Sequence, residues 1–252
     1  VRFTYPSDIT GEYPVADDAT ASREKIAWSK FDLSLLKGQV HYFITDSAKL
    51  RTLGGTQNVI SARRASEALA KTKDDEILDI LHTNVGGSRA CSTAWTSSSS
   101  DPEEDIVQTW NDILTNSNVT MGELSDCALV VPAAVYARLT ALTLIGNVQQ
   151  TVATYLKNSK GIEIYPTRSA ELGTSASTDA LFMVKGMMTA QHGILSDSAA
   201  SAAKVPLIEQ ERKIGSGDDY LITQWFRTGI IEDGLAASGK SYRLYKITGV
   251  NA

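Results

Sequence analysis

Cysteine is scarce in this chain: Cys91 and Cys127 are the only two among 252 residues. Two thiols cannot build a disulfide framework, and such usage points to a reducing compartment. Histidine is nearly as rare. His41, His82 and His192 lie far apart and at no metal-ligand spacing, so no metal is expected. No apolar run approaches the ~20 residues that span a bilayer, so no membrane contact is expected, and no secretory pattern is visible. The recurrent catalytic patterns are missing too: there is no G-x-S-x-G elbow, no H-E-x-x-H and no dinucleotide fingerprint. The sequence therefore assigns no catalytic, cofactor-binding or metal-ligating residue, and no cofactor.

What is present is the composition of a globular protein, 42% hydrophobic and 21% charged, long enough for one large or two smaller cores. A net charge of -5 argues against a dedicated nucleic-acid binder, but the charge is uneven. From Ser47 to Lys73 six basic residues (Lys49, Arg51, Arg63, Arg64, Lys71, Lys73) meet one acid, Glu67. From Asp74 to Asp126 eleven acids meet one base, Arg89. Such asymmetry marks either a surface facing a polyanion or the ordinary charge pattern of a helix exterior. The i, i+4 spacing of Arg63, Glu67, Lys71 and Asp75, alternating in sign, supports the second.

One motif asks for chemistry. Gly234 to Ser241, GLAASGKS, fits the G-x-x-x-x-G-K-S loop that cradles nucleotide phosphates. A working loop of that kind opens a helix, whose N-terminal N–H groups hold the phosphates. Here the downstream segment SYRLYKITGV alternates as a strand does, and eleven residues after Ser241 are too few for a crossover and a second, acid-bearing strand. The loop reads as a turn between two strands.

The first 26 residues are polar and rich in turn formers. WSKFDLSLLKGQVHYFITDSA then alternates through Phe31, Leu33 and Leu35 and again through Val40, Tyr42 and Ile44, with a bulge or turn expected at Lys37-Gly38. Such an extended arm cannot fold alone. A helix is predicted from about Thr56 to Asn84, between Gly54-Gly55 and Gly86-Gly87, with Ala62, Ala65, Leu69 and Ile80 as its packed face. SDPEE starts a second helix, capped by Ser100 or Asp101, with Ile106, Trp110 and Ile113 on one side. Ala128 to Val131 reads as a buried strand and Pro132 as the opening of a helix presenting Val135 and Leu139. GIEIYPTR and ALFMVKGM are further strands. KVPLIEQERKIGSGDDYLITQWFRTGII is a long hairpin turning at GSGDD.

The order of these elements, an arm, one long helix, an α/β block and a terminal hairpin, resembles the major capsid proteins of tailed phages, the Hong Kong phage capsid fold. The resemblance runs through WSKFDLSLLKGQVHYFITDSAKLRT into ISARRASEALAKTKDDEILDIL, carried by Lys37, Asp46-Ser47, the Ala62–Ala70 stretch and Asp75 to Leu78. LVVPAAVYARLTAL looks like the family's axial strand and helix, and ITQWFRTGIIEDGLAASGKSYRLYKI like its closing segment. The resemblance implies an α+β fold with an extended β arm (the E-loop), a long spine helix, an α/β axial domain and a peripheral long β-hairpin. The corresponding division is 1–46 (N-terminal arm and extended loop), 47–99 (spine helix and peripheral domain), 100–201 (axial domain) and 202–252 (peripheral hairpin and closing strand).

A structural role is implied. Copies would assemble into pentamers and hexamers, closing an icosahedral shell around double-stranded viral DNA, in a virion assembled in the host cytoplasm. Trp28, Phe31, Leu33, Leu35, Val40 and Tyr42 would contact neighbouring subunits. Arg63, Arg64, Lys71 and Lys73 would face DNA without reading its sequence, and decoration or portal proteins are conceivable partners. An encapsulin, a cellular shell of the same fold enclosing cargo enzymes, is the alternative; the opening VRFTYPSDITGEYPV does not read as the amphipathic helix with which those usually begin. Val1 in place of methionine suits a propeptide lost at maturation and a trimmed chain equally.

Overall fold

The computed structural model of the chain describes residues 2–6, 28–51, 56–144, 147–169, 172, 178–186, 188–194, 207–213, 216–232, 236 and 238–251. Strands β1 (Arg2–Pro6) and β2 (Trp28–Asp32) form an antiparallel ribbon that hydrogen-bonds to no other strand among the described residues. The segment read as irregular over residues 1–26 thus supplies a strand near its start; the rest of it lies outside the described residues. After β2 comes β3 (Leu36–Thr45). The break in the arm falls at residues 33–35, not at Lys37-Gly38, because Leu33 turns inward and is only 7% exposed. Gly38 sits in an unbroken ladder. It is small because a Cβ there would lie 2.5 Å from the Phe226 ring.

A short helix α1 (Asp46–Arg51) leads to α2 (Thr56–Thr83), which has the predicted bounds and is about 42 Å long. Its two halves bury different sides. Ala65 and Leu69 pack with Ile222 and Phe226, whereas Leu78 and Leu81 pack with Leu181 and Leu244. Of the expected ladder of ion pairs, among the described residues only Arg63–Glu67 forms, at 2.9 Å; Asp75 instead accepts the Ser169 hydroxyl at 2.5 Å. Helix α2 does not simply stop at Gly86-Gly87. Both glycines belong to β4 (Val85–Ala90), which pairs in parallel with the last strand, β13 (Ser241–Thr248). A Cβ on Gly86 would meet the Tyr242 nitrogen at 2.5 Å, and one on Gly87 the Tyr245 Cζ at 2.6 Å. A pair that reads as a helix breaker is here a site of close strand approach.

The middle block contains α3 (Pro102–Asn116), capped by Asp101, whose side chain accepts from the Glu104 N–H. Then come β5 (Cys127–Pro132), α4 (Ala133–Ala141), β6 (Thr143–Leu144), β7 (Asn147–Thr151), α5 (Val152–Lys160), β8 (Ile162–Thr167) and β9 (Ala180–Val184). Strand β10 (Ala190–Ile194) precedes the hairpin of β11 (Leu207–Lys213) and the 14-residue β12 (Gly217–Ile230). Strands β4, β13, β9, β5 and β8 form one five-stranded sheet, in that order. Its two faces are covered differently. Leu129, Phe182 and Ile247 meet Ile106, Ile113, Val135, Leu139 and Leu156 of the helices α3 to α5. Leu181 and Leu244 meet the end of α2 and Ile230. Cover on both faces explains why CALVV and ALFMV are continuously apolar instead of alternating.

In the second sheet β12 pairs with β3 along one edge and with β11 and then β10 along the other. The two sheets do not follow the contiguous division at 46, 99 and 201. Strand β4, from the 47–99 segment, and β13, from 202–252, complete the five-stranded sheet of the α/β block. Strand β10, from 100–201, joins the hairpin sheet. For the same reason the GKS segment does not join two paired strands: β12 and β13 lie in different sheets.

Candidate assembly surfaces

The phosphate-loop reading fails on geometry. Ser241 is the first residue of β13, fully buried, and its hydroxyl accepts from the Arg243 N–H at 3.3 Å. A strand, not a helix N-terminus, follows the motif, so no fan of free N–H groups is available to an anion. Among the described residues no group of His, Cys, Asp and Glu is placed to hold a metal.

The surfaces of interest are those that the fold leaves open. The ribbon is fastened at its base by Arg2, which holds Asp32 through two hydrogen bonds of 2.7 and 2.9 Å, and by Phe3 and Phe31, whose rings lie 6.5 Å apart. The guanidinium keeps the Asp32 carboxyl below its usual range. At its base, Phe31 and Leu33 sit on Gly229 of β12.

The remaining arm residues divide between two environments. Val40 and Tyr42 pack against the α2-facing core of their own subunit, where Tyr42 stacks on Tyr220 at 4.9 Å with an interplanar angle of 7°. Leu35 is half-buried and Leu36 is 56% exposed. The alternate residues of β3 face outward. There Lys37 lies over the Trp225 ring, Gln39 donates to Thr223 at 3.0 Å, His41 lies 2.8 Å from Asp219, and Phe43 remains 43% exposed. Lys37, Gln39, His41 and Phe43 are all exposed, with the Lys213 ammonium lying over the Phe43 ring.

The basic residues of α2 are not one patch. Arg63, Arg64 and Lys71 are exposed, Arg63 in its pair with Glu67. Lys73 is half-buried on the side of His192, whose pKa is lowered by burial, with Glu76 opposing the shift and Lys73 adding to it.

Sequence reasoning missed an ion network at the hairpin tip. Lys49 of α1 donates to Asp218 at 2.5 Å. Arg212 of β11 donates to Asp218 at 3.0 Å and forks onto Asp46 at 2.6 and 3.0 Å. Lys213 and His41 both reach Asp219. Three lysine and arginine charges thus balance three aspartates and tie α1, β3, β11 and β12 together. The signal was in GSGDD, where two acids directly follow the turn, opposite the basic pair Arg212-Lys213.

No family model and no curated protein matches the chain in sequence. Solved structures match it over nearly its whole length. A structure from Mycobacterium phage Che8 aligns with a TM-score of 0.60 at 17% identity, covering 100% of this chain and 85% of that one. The capsid of Myoviridae phage XM1 gives 0.58 at 15%, covering 99% and 85%. The capsid structure of cyanophage P-SCSP1u gives 0.56 at 13%, covering 100% and 84%. The chain has the tailed-phage capsid fold. At such identities the likeness lies in the order and packing of elements.

Proposed function

We propose that the protein is the major capsid protein of a tailed phage, a structural and non-catalytic subunit that resides in the virion. Its copies form pentamers and hexamers that close an icosahedral shell around double-stranded DNA. In this reading β1–β2 is the extended loop, α2 the spine helix and the five-stranded sheet with α3 to α5 the axial domain. The four-stranded sheet with α2 is then the peripheral domain. The observation that carries the reading, beyond the fold, is the ribbon: its two five-residue strands pair, among the described residues, only with each other and are supported at the base under Phe31 and Leu33, while Arg2, Thr4, Ser29 and Lys30 are exposed and leave most of the ribbon without a surface to lie on. A neighbouring copy supplies that surface, and contacts of this head-to-tail kind close into rings by rotation. Trp28 and Leu35 are the arm residues proposed to meet the neighbour, since Phe31 and Leu33 rest on Gly229 and Val40 and Tyr42 pack on the core of their own subunit. Arg63, Arg64 and Lys71 are proposed to lie toward DNA as a sequence-independent counter-charge. Decoration or portal proteins would join such a shell from outside this chain.

Electron microscopy of the native assembly is the test. Uniform closed shells filled with DNA are expected. Shells filled with a cargo enzyme would move the protein to the encapsulins, and a monodisperse monomer or dimer across salt and concentration would overturn the capsid role.

A further inference from the structure

At its base the ribbon rests on the body of the subunit, and that contact is close. A Cβ placed on Gly229 would lie 2.8 Å from Phe31 Cε1 and 2.9 Å from Leu33 Cδ1, so the last apolar residue of β2 and the first residue of the linker rest directly on the glycine backbone. An open groove beside them is lined by Asp32, Ser34, Ile80, Asn84 and Arg227. The strand under this seat is held in a particular way. The ladder between β3 and β12 ends at Leu36–Phe226, two residues before Thr228. There Glu76 of α2 takes over, accepting the Thr228 N–H at 2.8 Å and its hydroxyl at 2.6 Å. The single hydroxyl hydrogen of Thr228 being spent on Glu76, its oxygen accepts from His192 Nδ1 at 2.9 Å. The glycine is therefore fixed from the long helix on one side and from β10 on the other.

From this geometry we infer that Gly229 is a positioning residue: with Glu76 holding Thr228, it forms a seat for Phe31 and Leu33 that sets the direction in which the β1–β2 ribbon leaves the subunit. The position tolerates no side chain because the ring occupies the space of its Cβ. A substitution there lifts the base of the ribbon and swings its far end, while the core clusters around α2 and the five-stranded sheet keep their contacts. The consequence for shell formation rests on the capsid reading; the seat itself does not.

The experiment is a distance measurement on unassembled full-length subunits. Spin labels are placed at Ser29→Cys on the ribbon and Asn111→Cys on the exposed side of α3, in a Cys91→Ser background, and read by pulsed electron resonance. A single narrow distance is expected with Gly229 in place. Gly229→Ala is expected to shift the mean or destroy the single peak while the melting transition stays cooperative. Phe31→Ala empties the same seat from the opposite side, introduces no clash, and is expected to broaden the distribution. It decides the matter if Gly229→Ala does not fold. An unchanged distribution in Phe31→Ala overturns the inference. Assembly of the same variants is then followed by electron microscopy. A ribbon that moves in subunits that never form shells would sink the capsid reading and leave the seat standing.

Discussion

The buried carboxylate of Asp105 accepts the indole N–H of Trp95 at 2.8 Å, and Trp95 is fully buried. The same carboxylate takes the Ser92 N–H at 3.2 Å, so one acid in the first turn of α3 anchors the whole serine-rich crossing between β4 and α3. The Ser92 hydroxyl adds a third donor at 3.4 Å, so the buried carboxylate is satisfied from the loop it holds. Asp105→Ala is expected to destabilise the fold by about 3 kcal/mol, since it strands a buried indole N–H and unties the loop. Chemical denaturation measures this; a loss within experimental error of zero would mean that the loop is held elsewhere.

Acid should loosen the hairpin tip. Lys49 first, and then Arg212, hold the Asp218 carboxyl down at about 2. A carboxyl whose folded pKa lies below its unfolded value contributes stability above the unfolded value and loses it as the pH falls through the folded one. The contribution of Asp218 is thus complete above roughly pH 4 and disappears toward pH 2. Melting temperatures recorded between pH 5 and pH 2 should fall steeply in the native protein. In Asp218→Asn they should start lower and fall less. Parallel curves for the two proteins would show that the network does not couple to folding.

Two glycines separate close packing from mere turn chemistry. Gly86→Ala drives a methyl into the backbone of Tyr242 and Ser241, atoms that cannot rotate away, and a cost of about 3 kcal/mol is expected. Gly122→Ala is the control: the nearest atom to its Cβ is the Thr120 hydroxyl at 3.8 Å, and its φ of -66° suits any residue. Thermal melts of the two variants should differ by many degrees. Equal melts would mean that β4 and β13 separate without penalty.

What the sequence made legible follows from periodicity. Helix α2 was readable because 28 residues without proline or glycine keep one local conformation, and β5 with α4 because a run of apolar residues meets Pro132 at the helix start. Strand β4 was not, because its defining feature is the backbone of a strand more than 150 residues away, and glycine carries no apolar signal of its own. The arm was legible as two alternating pieces, but its break was expected at Lys37-Gly38 and falls at residues 33–35, because Leu33 and Leu35 continue the alternation of Phe31 in sequence while Leu33 turns inward in the fold. The face of β3 that the fold leaves open, Lys37 to Phe43, was passed over, because it alternates in step with the apolar face and carries the polar half of the pattern. Sheet membership was hidden for a similar reason, since β4, β10 and β13 each pair outside their neighbourhood in the chain.

The basic face of α2 gives the last prediction. Arg64 and Lys71 are exposed, and no salt bridge holds either among the described residues, whereas Arg63 is partly neutralised by Glu67. A sequence-independent contact with duplex DNA releases counterions in proportion to the phosphates it neutralises, so each lost contact lowers the log–log salt slope by about 1. Arg64→Ala with Lys71→Ala should therefore weaken binding of unrelated duplexes equally and reduce the slope by about 2. Arg63→Ala should lower the slope less, because Arg63 is already paired with Glu67 and neutralises less phosphate charge. Titration of fluorescent duplexes at several salt concentrations, with unassembled subunits, reads both quantities. An unchanged slope in the double variant would place this face of the helix away from DNA, and a loss confined to one duplex sequence would contradict a contact made through phosphates alone.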